Sequence, residues 1–233
     1  NRVLRAGLLC GYVGYDISES LYGAIWGCDI AGEITGTLKI SQNNFADTYI
    51  GGMVGRMNIP ASIYQCHAKV TLHITNGRYV GGIAGYADTS MSPADITDEN
   101  QIPNSESRPK ISYLFDCAAD VDMVLSSQST VSAGGICGAN KAAYLLACAS
   151  SGTMTCQVAA DESELGGIAG YNELTLMSCV SMATITSPYA VGGIVGRNTF
   201  NTYTNQTVDA RTIINCVYSG HIDCGTSTNA HGI

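Results

Sequence analysis

The sequence predicts an all-β chain wound as a single right-handed parallel β-helix of about six coils, with roughly three short strands in each coil. Three observations predict it. The phrase Gly-Gly-[Ile/Met]-x-Gly recurs five times, at Gly51 to Gly55, Gly81 to Gly85, Gly134 to Gly138, Gly166 to Gly170 and Gly192 to Gly196. A Cys follows each phrase after an apolar pair, and a third run of alternating apolar residues follows each Cys. A short unit that repeats cannot bury its apolar side alone, so it stacks on copies of itself.

The phrase comes first in each coil. A looser copy, Gly7-Leu8-Leu9-Cys10-Gly11, stands near the start, and His231-Gly232-Ile233 truncates another at the end. Two demands explain the glycines: a positive φ at a corner, or backbone packed too closely for a side chain. The Ile or Met between them points into the core. Asn140, Asn172 and Asn198 each stand two residues after a phrase, where stacked amides can bond to one another along the solenoid.

The second element reads Ile25-Trp26-Gly27-Cys28, Ile63-Tyr64-Gln65-Cys66, Leu114-Phe115-Asp116-Cys117, Leu145-Leu146-Ala147-Cys148, Leu176-Met177-Ser178-Cys179 and Ile213-Ile214-Asn215-Cys216. The third includes Lys69-Val70-Thr71-Leu72 and Asp120-Val121-Asp122-Met123. Alternation with period two, punctuated by Gly, is the strand signature. Like positions of successive coils then lie about 4.8 Å apart. The right hand follows from the general chirality of parallel crossovers.

The repeats run from end to end, which makes residues 1–233 one domain with a loop insertion at 88–110. Charged residues are 13% of the chain, about half the usual share, as suits stacked strands with small polar outer faces. A net charge of −8 with no basic run excludes nucleic acid as a partner. No apolar stretch approaches the length of a membrane span. Asn1 opens the chain without an initiator Met, so a mature or excised piece of a longer protein is expected.

Tyr79-Val80-Gly81-Gly82-Ile83-Ala84-Gly85-Tyr86, Leu165-Gly166-Gly167-Ile168-Ala169-Gly170-Tyr171-Asn172 and Ala190-Val191-Gly192-Gly193-Ile194-Val195-Gly196-Arg197-Asn198, each followed by a Cys strand, resemble GLUG repeats. Leu8, Met53 and Ala139 depart from that pattern. The resemblance implies a secreted or cell-surface bacterial protein, adhesin-like or a non-catalytic part of an immunoglobulin A peptidase. It brings no catalytic residue with it.

Ten Cys outside the cytoplasm would ordinarily suggest disulfides. Cys28, Cys66, Cys117, Cys148, Cys179 and Cys216 share one repeat position, however, so a column of free, buried thiols is expected. Cys216, His221 and Cys224 have the ligand types of a zinc site, but alternation sends His221 outward while Cys224 faces in. Neither a metal nor a cofactor is expected. A Cys protease needs an exposed thiolate beside a His, which a buried column denies. The acids Asp95, Asp98, Glu99 and Glu106 fall in the Pro-rich insertion, whose composition is that of an exposed loop. Glu162 and Glu164 are expected on an outer face as a solubilising edge.

Two features are left for binding. Tyr12, Arg56, Tyr86, Tyr171 and Arg197 share the position after the phrase, forming a ledge that could stack on sugar rings, or simply capping the corner. From phrase to Cys the intervals are 21, 15, 36, 14, 13 and 24 residues, so coils one, three and six carry loops at one corner. The last loop holds Phe200 and Tyr203, and insertions on one face of a solenoid are often its binding face. These features point to a non-catalytic adhesion or spacer module that binds glycan or protein, with exposed strand edges at each end open to end-to-end self-association. A polysaccharide-active β-helix enzyme is the rival reading, and a stalk of a larger secreted peptidase a third.

Overall fold

The computed structural model describes residues 3–16, 21–38, 47–58, 61–88, 112–158, 162–199 and 212–224. The chain is a parallel β-helix. Four stacked sheets run through six coils, and every pairing in them is parallel. No helix among the described residues is long and apolar enough to cross a membrane.

The phrase folds at its own centre, so its strand comes in two pieces. A lead strand ends on the first Gly, as in Thr48–Gly51, Tyr79–Gly81, Ser132–Gly134, Glu164–Gly166 and Ala190–Gly192. A trail strand starts on the fourth position, as in Val54–Asn58, Ala84–Asp88, Cys137–Asn140, Ala169–Asn172 and Val195–Asn198. Leu4–Ala6 and Cys10–Val13 extend the two sheets into coil one. The third sheet is the short strand before each Cys, and the fourth is the long strand after it, such as His67–Thr75 and Ala118–Ser127.

Close packing accounts for the phrase glycines, and positive φ does not. A Cβ on Gly82 would collide with the Gly135 carbonyl oxygen and sit 2.7 Å from Val121 Cγ2, while one on Gly85 would sit 2.5 Å from the Ile50 nitrogen. None of the five phrases has a glycine in the left-handed region. Positive φ occurs at a place the repeat does not advertise, the residue before each column Cys: Gly27 (62°), Gln65 (51°), Asp116 (54°), Ala147 (53°), Ser178 (56°) and Asn215 (51°).

The core follows the register. Met53, Ile83, Ile136 and Ile168, between the glycines, are fully buried, as are Ile63, Leu114, Leu145 and Leu176 before the Cys and Leu72, Met123 and Met154 after it. All ten cysteines are free, with Cys66, Cys117, Cys148 and Cys179 buried and the column's ends, Cys28 and Cys216, partly exposed. Each thiol closes the left-handed corner by donating to the carbonyl two residues back, as Cys66 does to Tyr64 (3.1 Å) and Cys117 to Phe115 (3.4 Å). A second carbonyl, from the preceding coil, lies 3.3 Å from Cys148 and 3.4 Å from Cys179. Burial pushes the thiols of Cys137 and Cys156 up to about 12. The Asn stack forms as expected: Asn140 Nδ2 donates to Asn172 Oδ1 and Asn172 Nδ2 to Asn198 Oδ1, both at 2.8 Å.

Candidate functional site

The lead and trail strands meet at an angle, and their outward residues share a concave face. One ladder runs Arg5, Tyr49, Tyr79, Ser132, Glu164, Ala190, and the other Tyr12, Arg56, Tyr86, Ala139, Tyr171, Arg197. The structure thus brings the five ledge residues into one row, but it does not leave that row open. Tyr49, Tyr86 and Ala139 form a small apolar cluster of their own, with Tyr79 and Tyr171 packed against it. Ring centroids of Tyr49, Tyr79 and Tyr86 lie 4.7 to 5.6 Å apart, and the Arg56 guanidinium sits 5.2 Å from Tyr49.

Tyr86 is covered, so no sugar ring can stack on it, and Ala139 leaves the middle of the row without a contact group. Tyr12 and Arg197 are exposed at the two ends, and Tyr171 is accessible in part. Phe200 and Tyr203 lie outside the described residues. So does most of each stretched loop, although the flanks show that all three leave the trail strand and re-enter before the Cys strand. In coil one that stretch forms a small antiparallel hairpin, Tyr15–Asp16 against Leu21–Tyr22.

The charges on this face are engaged with one another. Arg56 pairs with Asp88, and Arg78 with Asp47 at 2.5 Å. Glu164 corrects the expectation of a solubilising edge: it points into the concave face and is buried, accepting from Ser132 Oγ at 2.7 Å and Arg197 at 3.2 Å. Burial raises its carboxyl above the usual value, and those two hydrogen bonds pull it partly back. Tyr171 donates to Glu173 at 2.6 Å. Burial also pushes the Tyr86 and Tyr171 phenols up, which keeps both neutral.

A second outer surface lies around the Cys corner, and sequence reasoning missed it. In coils one to five the first residue of the apolar pair before the Cys is buried and the second faces out; in the terminal coil both Ile213 and Ile214 are exposed. The outward row is Trp26, Tyr64, Phe115, Leu146, Met177, Ile214, apolar or aromatic in all six coils. Trp26 is 72% exposed and Phe115 40%, with Met177 and Ile214 close behind. The signal was present, because period two cannot bury both members of an adjacent pair.

Just past the corner, the outward row of the long sheet drops to Ala118 and Ala149 between larger neighbours. A shallow depression of about 500 Å³ results, rimmed by Asp29, His67, Lys69, Asp120, Ser151 and Met182. His67 Nδ1 lies 2.9 Å from Asp29 Oδ1. Gln65 ties the corner together, its Oε1 accepting from Trp26 Nε1 at 2.7 Å and its Nε2 lying 3.5 Å from Asp116. His221 is exposed while Ile222 and Cys224 are partly buried, as alternation required, and no cluster of metal-ligating residues occurs among the described residues.

No protein-family model matches the chain, and neither a curated protein nor a solved structure matches it.

Proposed function

We propose that the chain is a non-catalytic adhesion or spacer module of a secreted or surface-anchored bacterial protein, of the GLUG-repeat kind, and that it contacts a glycan or a host protein. The observation that carries this reading is the unbroken register of four parallel sheets through six coils, which makes a stiff rod with a repeated outer surface. The chemistry of the concave face agrees with it. A general acid or base needs access to its substrate and an unoccupied hydrogen-bonding edge. Both Glu164 and Glu173 are buried and engaged: Glu164 fastens its coil to Ser132 of the coil before and Arg197 of the coil after, and Glu173 accepts from Tyr171 within its own coil and lies 3.8 Å from Lys141 of the coil before. At the two ends, Ile30, Ile34, Tyr218 and Ile222 are only partly buried, which favours end-on association of copies through unpaired strand edges.

A glycan array probed with the whole chain, followed by a reducing-end assay on every glycan it retains, tests the reading. Retention without new reducing ends is expected. Release of reducing ends from any retained polysaccharide would overturn the non-catalytic assignment in favour of a polysaccharide-active enzyme.

A further inference from the structure

Among the described residues, the outward row before the Cys is the one exterior ladder that is apolar in every coil. Its neighbours are not: the row beside it reads Gly27, Gln65, Asp116, Ala147, Ser178, Asn215. An outward apolar row that runs through six coils, exposed at Trp26, Phe115, Met177 and Ile214 and half-buried at Tyr64 and Leu146, with a largely polar border, marks a contact surface.

Its dimensions select the occupant. Six rungs about 4.8 Å apart make it about 24 Å long, while one outward row of a strand is only about 7 Å wide. That footprint is far below the roughly 800 Å² per partner that a stable protein interface buries. A second copy of the chain on this row alone would therefore not hold. A linear polymer one unit wide fits it.

The row also changes character along the axis, aromatic in coils one to three and aliphatic in coils four to six. The depression runs beside this corner from coil one to coil five, with Asp29, His67, Lys69 and Asp120 next to the aromatic coils. Flat rings next to carboxylates, an imidazole, an amide and a hydroxyl suit a pyranose chain, whose C–H faces stack on aromatic rings while its hydroxyl edges take hydrogen bonds. Asp29, Asp116 and Asp120 outnumber Lys69 on these rims, and the whole chain carries −8, so the field repels acidic sugars.

We infer that Trp26, Tyr64 and Phe115, with the adjoining depression, form a platform for one chain of a neutral linear polysaccharide lying along the solenoid axis. Trp26 supplies the largest stacking surface, and Gln65 holds its indole by the Nε1 hydrogen bond. Asp29, His67 and Asp120 meet the hydroxyl edge. This deepens the glycan side of the proposed function and rests on it.

Trp26 is the only tryptophan in the chain, so its fluorescence reports on this site directly. The experiment is affinity electrophoresis in gels containing soluble xylan, mannan or β-glucan, with polygalacturonate and alginate as acidic comparators, and fluorescence titration with whichever polysaccharide retards the protein. Expected are retardation by a neutral polysaccharide, a blue shift of Trp26 emission, and about tenfold or greater loss of affinity in Trp26→Ala and Phe115→Ala. Trp26→Phe should recover part of the loss. Since Trp26 is 72% exposed, Trp26→Ala should keep the wild-type melting temperature, which separates lost binding from lost folding.

Three results would overturn the platform while leaving an adhesion role standing. These are neutral-glycan binding that neither shifts Trp26 emission nor weakens in Trp26→Ala, retention by the acidic polymers alone, and a Trp26-dependent dimer in sedimentation. Retardation by no polysaccharide would remove both the platform and the glycan half of the proposed function.

Discussion

Two of the corners in each coil are built on opposite logics. At the glycine phrase, the backbone has ordinary torsions and no room; at the cysteine corner it has room and an uncommon torsion. Adding a Cβ to Gly82 brings it against the backbone and side chains of neighbouring strands, whereas a Cβ on Gly27, at φ 62°, meets nothing within 4 Å. Glycine recurs where space is absent. Where φ is positive, Gln65, Asp116, Ala147, Ser178 and Asn215 are tolerated, at a cost of about 1 kcal/mol each. A repeated glycine therefore does not identify the strained turn.

That contrast can be broken most sharply at Gly82. Gly82→Ala should destabilise the chain by about 3 kcal/mol or more, since the clash is with backbone that cannot move away. Urea unfolding should show a large fall in midpoint or a chain that no longer folds; a near-neutral result would remove sterics as the reason for the phrase. Next is the Asn stack at the end of the trail strand. Asn172→Ala leaves a buried amide hydrogen of Asn140 and the Leu174 carbonyl without this partner, and should cost about 2 kcal/mol in the same assay.

The cysteine corner should respond in the opposite direction. Ala147→Gly should stabilise by up to about 1 kcal/mol by relieving its left-handed torsion, and Gly27→Ala should lose a similar amount. Thermal melts of the pair measure one quantity from two sides. If Gly27→Ala proved as damaging as Gly82→Ala, the distinction between the corners would fail.

The smallest effect concerns pH. Because the folded carboxyl of Glu164 is raised above its ordinary value of 4.5, its protonated form is favoured in the folded state. Its contribution to stability is full below pH 4.5 and is lost as pH rises through the raised folded value. Glu164→Gln should flatten stability against pH across that window in urea titrations, and an unchanged slope would show that Ser132 and Arg197 offset the burial completely.

The register was legible in the sequence because inward positions repeat in kind. The Cys column, the Ile or Met between glycines and the Asn stack all lie where the repeat places them. The outward surface was harder to read, since exposure depends on what stands beside a residue and not on its own type. Tyr86 looked like part of an open ledge, yet Tyr49 and Tyr79 from two neighbouring lead strands cover it. Glu164 looked like surface charge until the angle between lead and trail strands turned it inward. The Trp26 row was overlooked for the converse reason: an apolar pair reads as core, and only pairing geometry separates the inward member from the outward one. The left-handed corner was hidden because five of its six residues are not glycine.

The inter-coil hydrogen bonds run along the axis of the rod, and that orientation sets its mechanics. Tension applied between the two ends loads these bonds end-on, in a peeling mode, so the rod yields one coil at a time. The shortest coil, from Gly166 to Gly192, contains 26 residues, and its release lengthens the tether by about 90 Å of extended chain. A spacer built this way absorbs a pull as a series of small extensions, with the remaining coils still folded.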